Sequence, residues 1–254
     1  MNMSISTISL LIQRQFTEHK RIYGIGALVL FALLNFMFLV IHQWQDSFSG
    51  AVQNGVFIIG LFVSGGVFTS TMFSELSNKQ SAIWLLSIPA KHSEKVLVSI
   101  LLSVPFFLGS YLMIFYHTDL IYLFTLAPDG SSTILDLTRN NFYQFIFQYN
   151  IFSGLILLGG VIFNRHSLIK TILVCILLFA FLNFLNNTLL KMLIPETSVI
   201  SSILFDSFLF SHQGENIKVA LLGSNDLLTS LFVRLVLPVS IWVAIWLKLK
   251  EKEV

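Results

Sequence analysis

Between Lys95 and Asp119 the chain carries no charged side chain, and the same holds from Arg21 to Asp46, Asp46 to Glu75, Arg139 to Arg165 and Lys170 to Lys191. Each gap offers about 20 mostly apolar residues, the length an α-helix needs to cross a hydrocarbon core of roughly 30 Å. A sixth interval, 227–248, is apolar apart from Arg234 and closes on Trp242, Trp246 and Lys248. Barrel strands would alternate apolar and polar residues, and these runs are continuous. The expectation is an all-α membrane protein forming a single domain, with spans near 22–41, 53–74, 94–117, 141–163, 168–190 and 227–248. With 55% hydrophobic and 11% charged residues, a 254-residue chain lacks the polar surface to cover a soluble globule.

The basic residues report topology rather than a nucleic-acid face. With the amino terminus in the cytoplasm, the inner loops and termini hold 11 of the 15 Lys and Arg, and only Arg139, Lys191, Lys218 and Arg234 fall outside. An even number of spans then places both termini in the cytoplasm. The first residues lack a basic start and a long apolar run before Arg14, so a cleavable signal is not expected. Ile5, Ile8, Ile12 and Phe16 recur at helical spacing, which predicts an amphipathic interfacial helix over 3–20. The lone Cys175 excludes a disulfide within one chain.

Polar and small residues inside the spans mark where helices meet. Gly65, Gly66 and Thr69 crowd one half of the second span, where small side chains let helices approach and hydroxyls bond across, either for packing or along a substrate path. Asn183, Asn186 and Asn187 share a face of the fifth span, with interhelical bonding and a polar path as the two readings. Pro105 and Gly109 predict a bend in the third. The loop 117–141 carries Asp119, Asp129 and Asp136 too far apart in sequence to form a metal site, and is expected to be solvated. The run 197–211 is too short to span and predicts a re-entrant or interfacial helical segment on the outer side. Arg234 is the only charge set inside an expected span, so it stays a candidate for packing or for the substrate path.

Enzymatic chemistry has little to work with. The six histidines lie outside or at the ends of the spans, there is no HExxH pair, and no span brings a histidine to a serine of another. The only Lys followed by Ser or Thr is Lys170-Thr171, without a glycine loop to cradle phosphates, so the chain itself holds no nucleotide and no cofactor.

The stretch FSELSNKQSAIWLLSIPAKHSEKVLVSI, from Phe73 to Ile100, interrupts this pattern. Leu76, Ile83 and Leu86 line one helical side, Trp84 suits the headgroup level, and Pro89 stops the segment, predicting a surface helix over 75–88. Pro89 and Glu94 then suit the first turn of a helix that runs on to Tyr116. Leu86, Pro89, Ala90, Glu94 and Lys95 follow a pattern of small bacterial permeases, and the layout of the whole chain resembles the permease of a type 2, exporter-type ABC transporter. In place of that pattern's serine after alanine stands Lys91.

The resemblance implies two permease chains paired with two ATP-binding subunits. The 75–88 segment would be the coupling helix, with Glu75, Lys79, Lys91, Glu94 and Lys95 contacting the ATPase and Trp84 anchored on the lipid. It implies export of an amphipathic, lipid-like or peptide substrate, with ATP bound by the partner. A non-ABC membrane anchor, receptor or accessory subunit is the alternative reading.

Overall fold

The computed structural model describes residues 5–44, 50–74, 83, 87–126, 134–136, 143–163, 166–193, 198–203, 207–212, 215–220 and 232–252. The helices are α1 (Ile5–Trp44), α2 (Gly50–Thr71), α3 (His92–Leu101), α4 (Phe107–Leu126), α5 (Tyr143–Ile162), α6 (Ser167–Leu193) and α7 (Leu237–Glu251). Two π-helical turns, Leu102–Phe106 and Phe232–Val236, lead into α4 and α7. Among the described residues, five continuous helical stretches are long and apolar enough to cross a membrane: Ile5–Gln43, Val52–Thr71, His92–Thr125, Gln144–Ile162 and Ser167–Leu189. Of the sixth expected span, 227–231 lie outside the described residues, and the rest is the second π turn with α7.

The chain divides into two units. The first, Met1–Leu168 with Ser240–Val254, is a helical bundle. There α2 packs against α1, α4 and α5, and α1 also runs along α3 and α4. Its core is aromatic and aliphatic, built around Leu34, Phe38, Phe57, Leu61, Tyr111 and Phe115. Phe57 stands edge-on to both Phe115 and Tyr111, with ring centres 5.0 and 5.3 Å apart, an arrangement that sets positive ring edges on negative faces.

The interfacial helix expected over 3–20 does not stand apart: its described residues continue without a break of helix into the first span, as the first turns of the 40-residue α1. No proline or turn residue separates the two segments. Phe16, expected on a lipid-facing stripe, packs instead on Phe106 with ring centres 4.9 Å apart.

The second unit, Ile169–Val239, holds most of α6 and a three-stranded antiparallel sheet. Its strands are β1 (Ser198–Ile203), β2 (Ser207–His212) and β3 (Glu215–Ala220), in the order β1-β2-β3. Over its described residues, 198–203 and 207–211, the helical segment expected at 197–211 is therefore corrected to strands. Length alone pointed to a helix, whereas Val199, Ile200, Ile203, Phe208 and Phe210 supply the β-branched and aromatic side chains that favour a pleated surface. β2 and β3 pair from His212 with Glu215 to Ser207 with Ala220.

Candidate functional site

Pro105 lacks the N–H that an α-helix needs, and its ring crowds the carbonyl one turn back. The chain answers by widening to a π turn over Leu102–Phe106 rather than breaking. Phe107 N–H consequently bonds Leu102 O. In an α-helix the same N–H would have gone to Ser103 O, so the widening withdraws that carbonyl's usual donor.

The replacement comes from another helix. Tyr149 of α5, fully buried, donates its hydroxyl to Ser103 O at 2.8 Å. Its ring reaches that carbonyl across α2 because Gly65 has no side chain: a Cβ there would lie 2.4 Å from Tyr149 Cε2. One residue on, a Cβ at Gly66 would meet Ile156 and Phe152 of α5 at 3.2 and 3.3 Å. Thr69, one turn further along α2, is buried against the Tyr149 hydroxyl. The glycines and threonine picked out in the sequence thus lie at one junction of α2, α5 and the π turn, inside a single chain.

A second junction of the same construction lies in the α4 half of the bundle. Tyr111 donates its hydroxyl to Phe57 O of α2 at 2.8 Å, and a Cβ at Gly60 would come within 2.5 Å of that hydroxyl oxygen. Phe107 lies between the two tyrosines, with ring centres 6.1 Å from Tyr111 and 5.8 Å from Tyr149. The π turn and the start of α4 are therefore held by two buried tyrosines that cross over glycines of α2.

At the other end of this rod, Pro89 precedes the helix instead of opening it. Ala90 N–H bonds Ile88 O at 2.7 Å around the proline, a three-residue turn that its fixed φ suits. Lys91 is extended, and α3 starts at His92. Glu94, in the first turn, accepts Lys91 N–H at 3.1 Å, which satisfies a backbone donor and sets a negative charge at the positive helix end. Glu94 and Lys95 are only 2% and 5% exposed. Both side chains are buried in the packing at the root of α3. Pro89 is exposed and Lys91 half-buried, while Glu75, Lys79 and Trp84 lie outside the described residues.

The helix runs on to Leu126, two turns beyond the expected end of its span. That extension carries Asp119 into the bundle, where it is 0% exposed rather than solvated in a loop. Asp119 accepts Gln53 Nε2 at 3.2 Å and Leu135 N–H at 3.3 Å. Tyr116 donates to Leu135 O at 3.1 Å, so both backbone groups of Leu135 are tied to the same helix while its side chain joins the core.

In the second unit, Asn183 bonds back to Phe179 O of its own helix at 2.9 Å, a local bond rather than an interhelical one. Asn186 is buried and Asn187 exposed, and Arg234 sits in the second π turn, half-exposed. Sequence reasoning missed Tyr149, Ser103, Tyr111, Gly60 and Asp119. The available signal was a proline in mid-span, which guarantees displaced carbonyls, together with Tyr111 deep in the same apolar run and Tyr149 deep in the next.

No family model, curated protein or solved structure matches the chain.

Proposed function

We propose that this chain is the permease subunit of an ATP-driven ABC transporter of the exporter type, set in a bacterial inner membrane with both termini cytoplasmic. The observation that supports it most is the rod formed by α3, the π turn and α4. It starts at the polar seam after α2 with a capped, buried root and runs 35 residues, from His92 to Leu126, through the bundle. At 1.5 Å per residue it is about 50 Å long, more than the roughly 30 Å hydrocarbon core. A push on the seam would be carried into the bundle by such a unit, past the π turn to which Tyr149 bonds. Between two openings of a transport path, this is the kind of element a partner's motion can bias.

In this reading Glu75, Lys79, Pro89 and Lys91 face the ATP-binding subunit, Trp84 anchors the coupling segment on the lipid, and Glu94 with Lys95 fixes the seam to the rod. The partner hydrolyses ATP, a second permease copy or homologue completes the path, and the cargo is amphipathic. Purification of the tagged chain in mild detergent from its native host tests this. The expected result is a co-purifying ATP-binding subunit with ATPase activity, and a non-ABC anchor or accessory subunit would elute without it.

A further inference from the structure

An apolar groove of about 450 Å³ opens between α1, α2 and α4, all within the helical bundle. Its walls include Gly26, Leu30 and Leu33 of α1, Val63 and Val67 of α2 and Phe107 of α4. The volume falls in the roughly 300–1,000 Å³ range of small-molecule sites. On α1 it extends from Ile22 to Met37, about 22 Å along the helix axis, more than one leaflet of a core roughly 30 Å thick.

The groove presents almost no free polar group. Ser64 donates to Gly60 O, Ser110 to Phe106 O at 3.0 Å, Thr71 to Phe68 O at 2.7 Å and Tyr111 to Phe57 O at 2.8 Å. Tyr23 accepts from Gln15 Nε2 at 3.2 Å. At Gly26 an added Cβ would meet nothing within 4 Å, so the space is open at that wall.

The mouth at Ile22 and Tyr23 is different. Lys20, one turn before Tyr23 and two before Ala27 on the groove side, is exposed, as is its neighbour Arg21. Neither takes part in an ion pair among the described residues, whereas the nearby Glu18 is engaged by Arg14 at 2.7 Å. A dry slot ending at two available cations fits a molecule with an apolar tail and an anionic head.

We propose that this groove is a resident binding site for one anionic phospholipid, its acyl chain lying along α1 between Ile22 and Met37 and its phosphate at Lys20 and Arg21. The proposal rests on the cavity and its charges and is independent of the permease reading. Burial of a chain against these walls supplies the affinity, and the two cations select the headgroup.

Native mass spectrometry of the delipidated full-length chain, titrated separately with phosphatidylglycerol and phosphatidylcholine, tests it. The expected result is one preferred phosphatidylglycerol adduct. Gly26→Phe should fill the groove and reduce phosphatidylglycerol binding at least tenfold, and Val67→Phe should do so from the opposite wall. The pair Lys20→Gln and Arg21→Gln, both at exposed positions, should remove the preference between the two lipids. Equal binding of both lipids by the wild type, or an unchanged preference in the double Gln variant, overturns the proposal. Undiminished phosphatidylglycerol binding in both filled-groove variants does the same.

Discussion

The hydroxyl of Tyr149 on α5 donates to the carbonyl of Ser103 at 2.8 Å, and that carbonyl belongs to the one turn of the α3–α4 rod that Pro105 has widened. A defect in one helix is thus completed by a side chain from another, across a glycine of a third. Removing the hydroxyl in Tyr149→Phe leaves a buried carbonyl unsatisfied and should cost about 1–3 kcal/mol. Unfolding of the purified variant in detergent measures it. In the Pro105→Ala background the turn can close to α geometry, Phe107 N–H can return to Ser103 O, and the penalty for losing the hydroxyl should shrink. Additive losses in that double variant would contradict the explanation.

Glycines of the bundle should separate by position. Gly65→Ala puts a methyl 2.4 Å from a Tyr149 ring carbon, within a packed core that does not yield easily. Gly24→Ala meets nothing within 4 Å and should be neutral or gain about 0.5–1 kcal/mol from the better helix former. Thermal unfolding of the two variants side by side should show Gly65→Ala clearly the less stable, and equal stability would show that Tyr149 does not need the gap.

At the root of α3, Glu94→Ala should loosen the first turn by roughly 1 kcal/mol, the usual worth of such a cap. Glu94→Gln keeps an oxygen to accept Lys91 N–H and should recover most of the loss. Amide exchange at Lys91 and in the first turn of α3 reads this directly. Equal protection in Glu94→Ala and wild type would remove the cap from the account.

Asp119 of α4 accepts Leu135 N–H with one carboxylate oxygen and Gln53 Nε2 of α2 with the other. Asp119→Asn retains one acceptor and should lose one of the two bonds, whereas Asp119→Ala loses both. Exchange of the Leu135 amide should therefore rise in the order wild type, Asn, Ala. An Asp119→Ala variant with unchanged protection at Leu135 would show that the segment is held by its core side chain alone.

These residues also show what a sequence discloses. Charge-free runs locate helices because crossing or core burial leaves little room for Lys, Arg, Asp or Glu, and the described helices fall on those runs. Gly65, Gly66 and Thr69 were legible as a packing site because small side chains in an apolar helix have few other uses. Their partner was not, since Tyr149 lies some 80 residues away and no local spacing links it to Ser103. Asp119 was misread for a related reason: a carboxylate ending an apolar run looks like the start of a loop, and its burial depends on Gln53 and Leu135 arriving from elsewhere. The strands at 198–220 were hidden by reading run length in place of β-branched and aromatic content.

The most direct measurement of the central claim is ATPase activity co-eluting with the detergent-solubilised chain, compared with a Glu75→Lys, Lys79→Glu variant. Both substitutions lie in the seam, outside the capped root of α3 and the tyrosine junctions. The account predicts that the wild type carries an ATP-binding subunit and its activity, and that the charge-reversed chain folds and purifies but loses both. An ATPase that co-elutes undiminished with the variant, or none with the wild type, would contradict it.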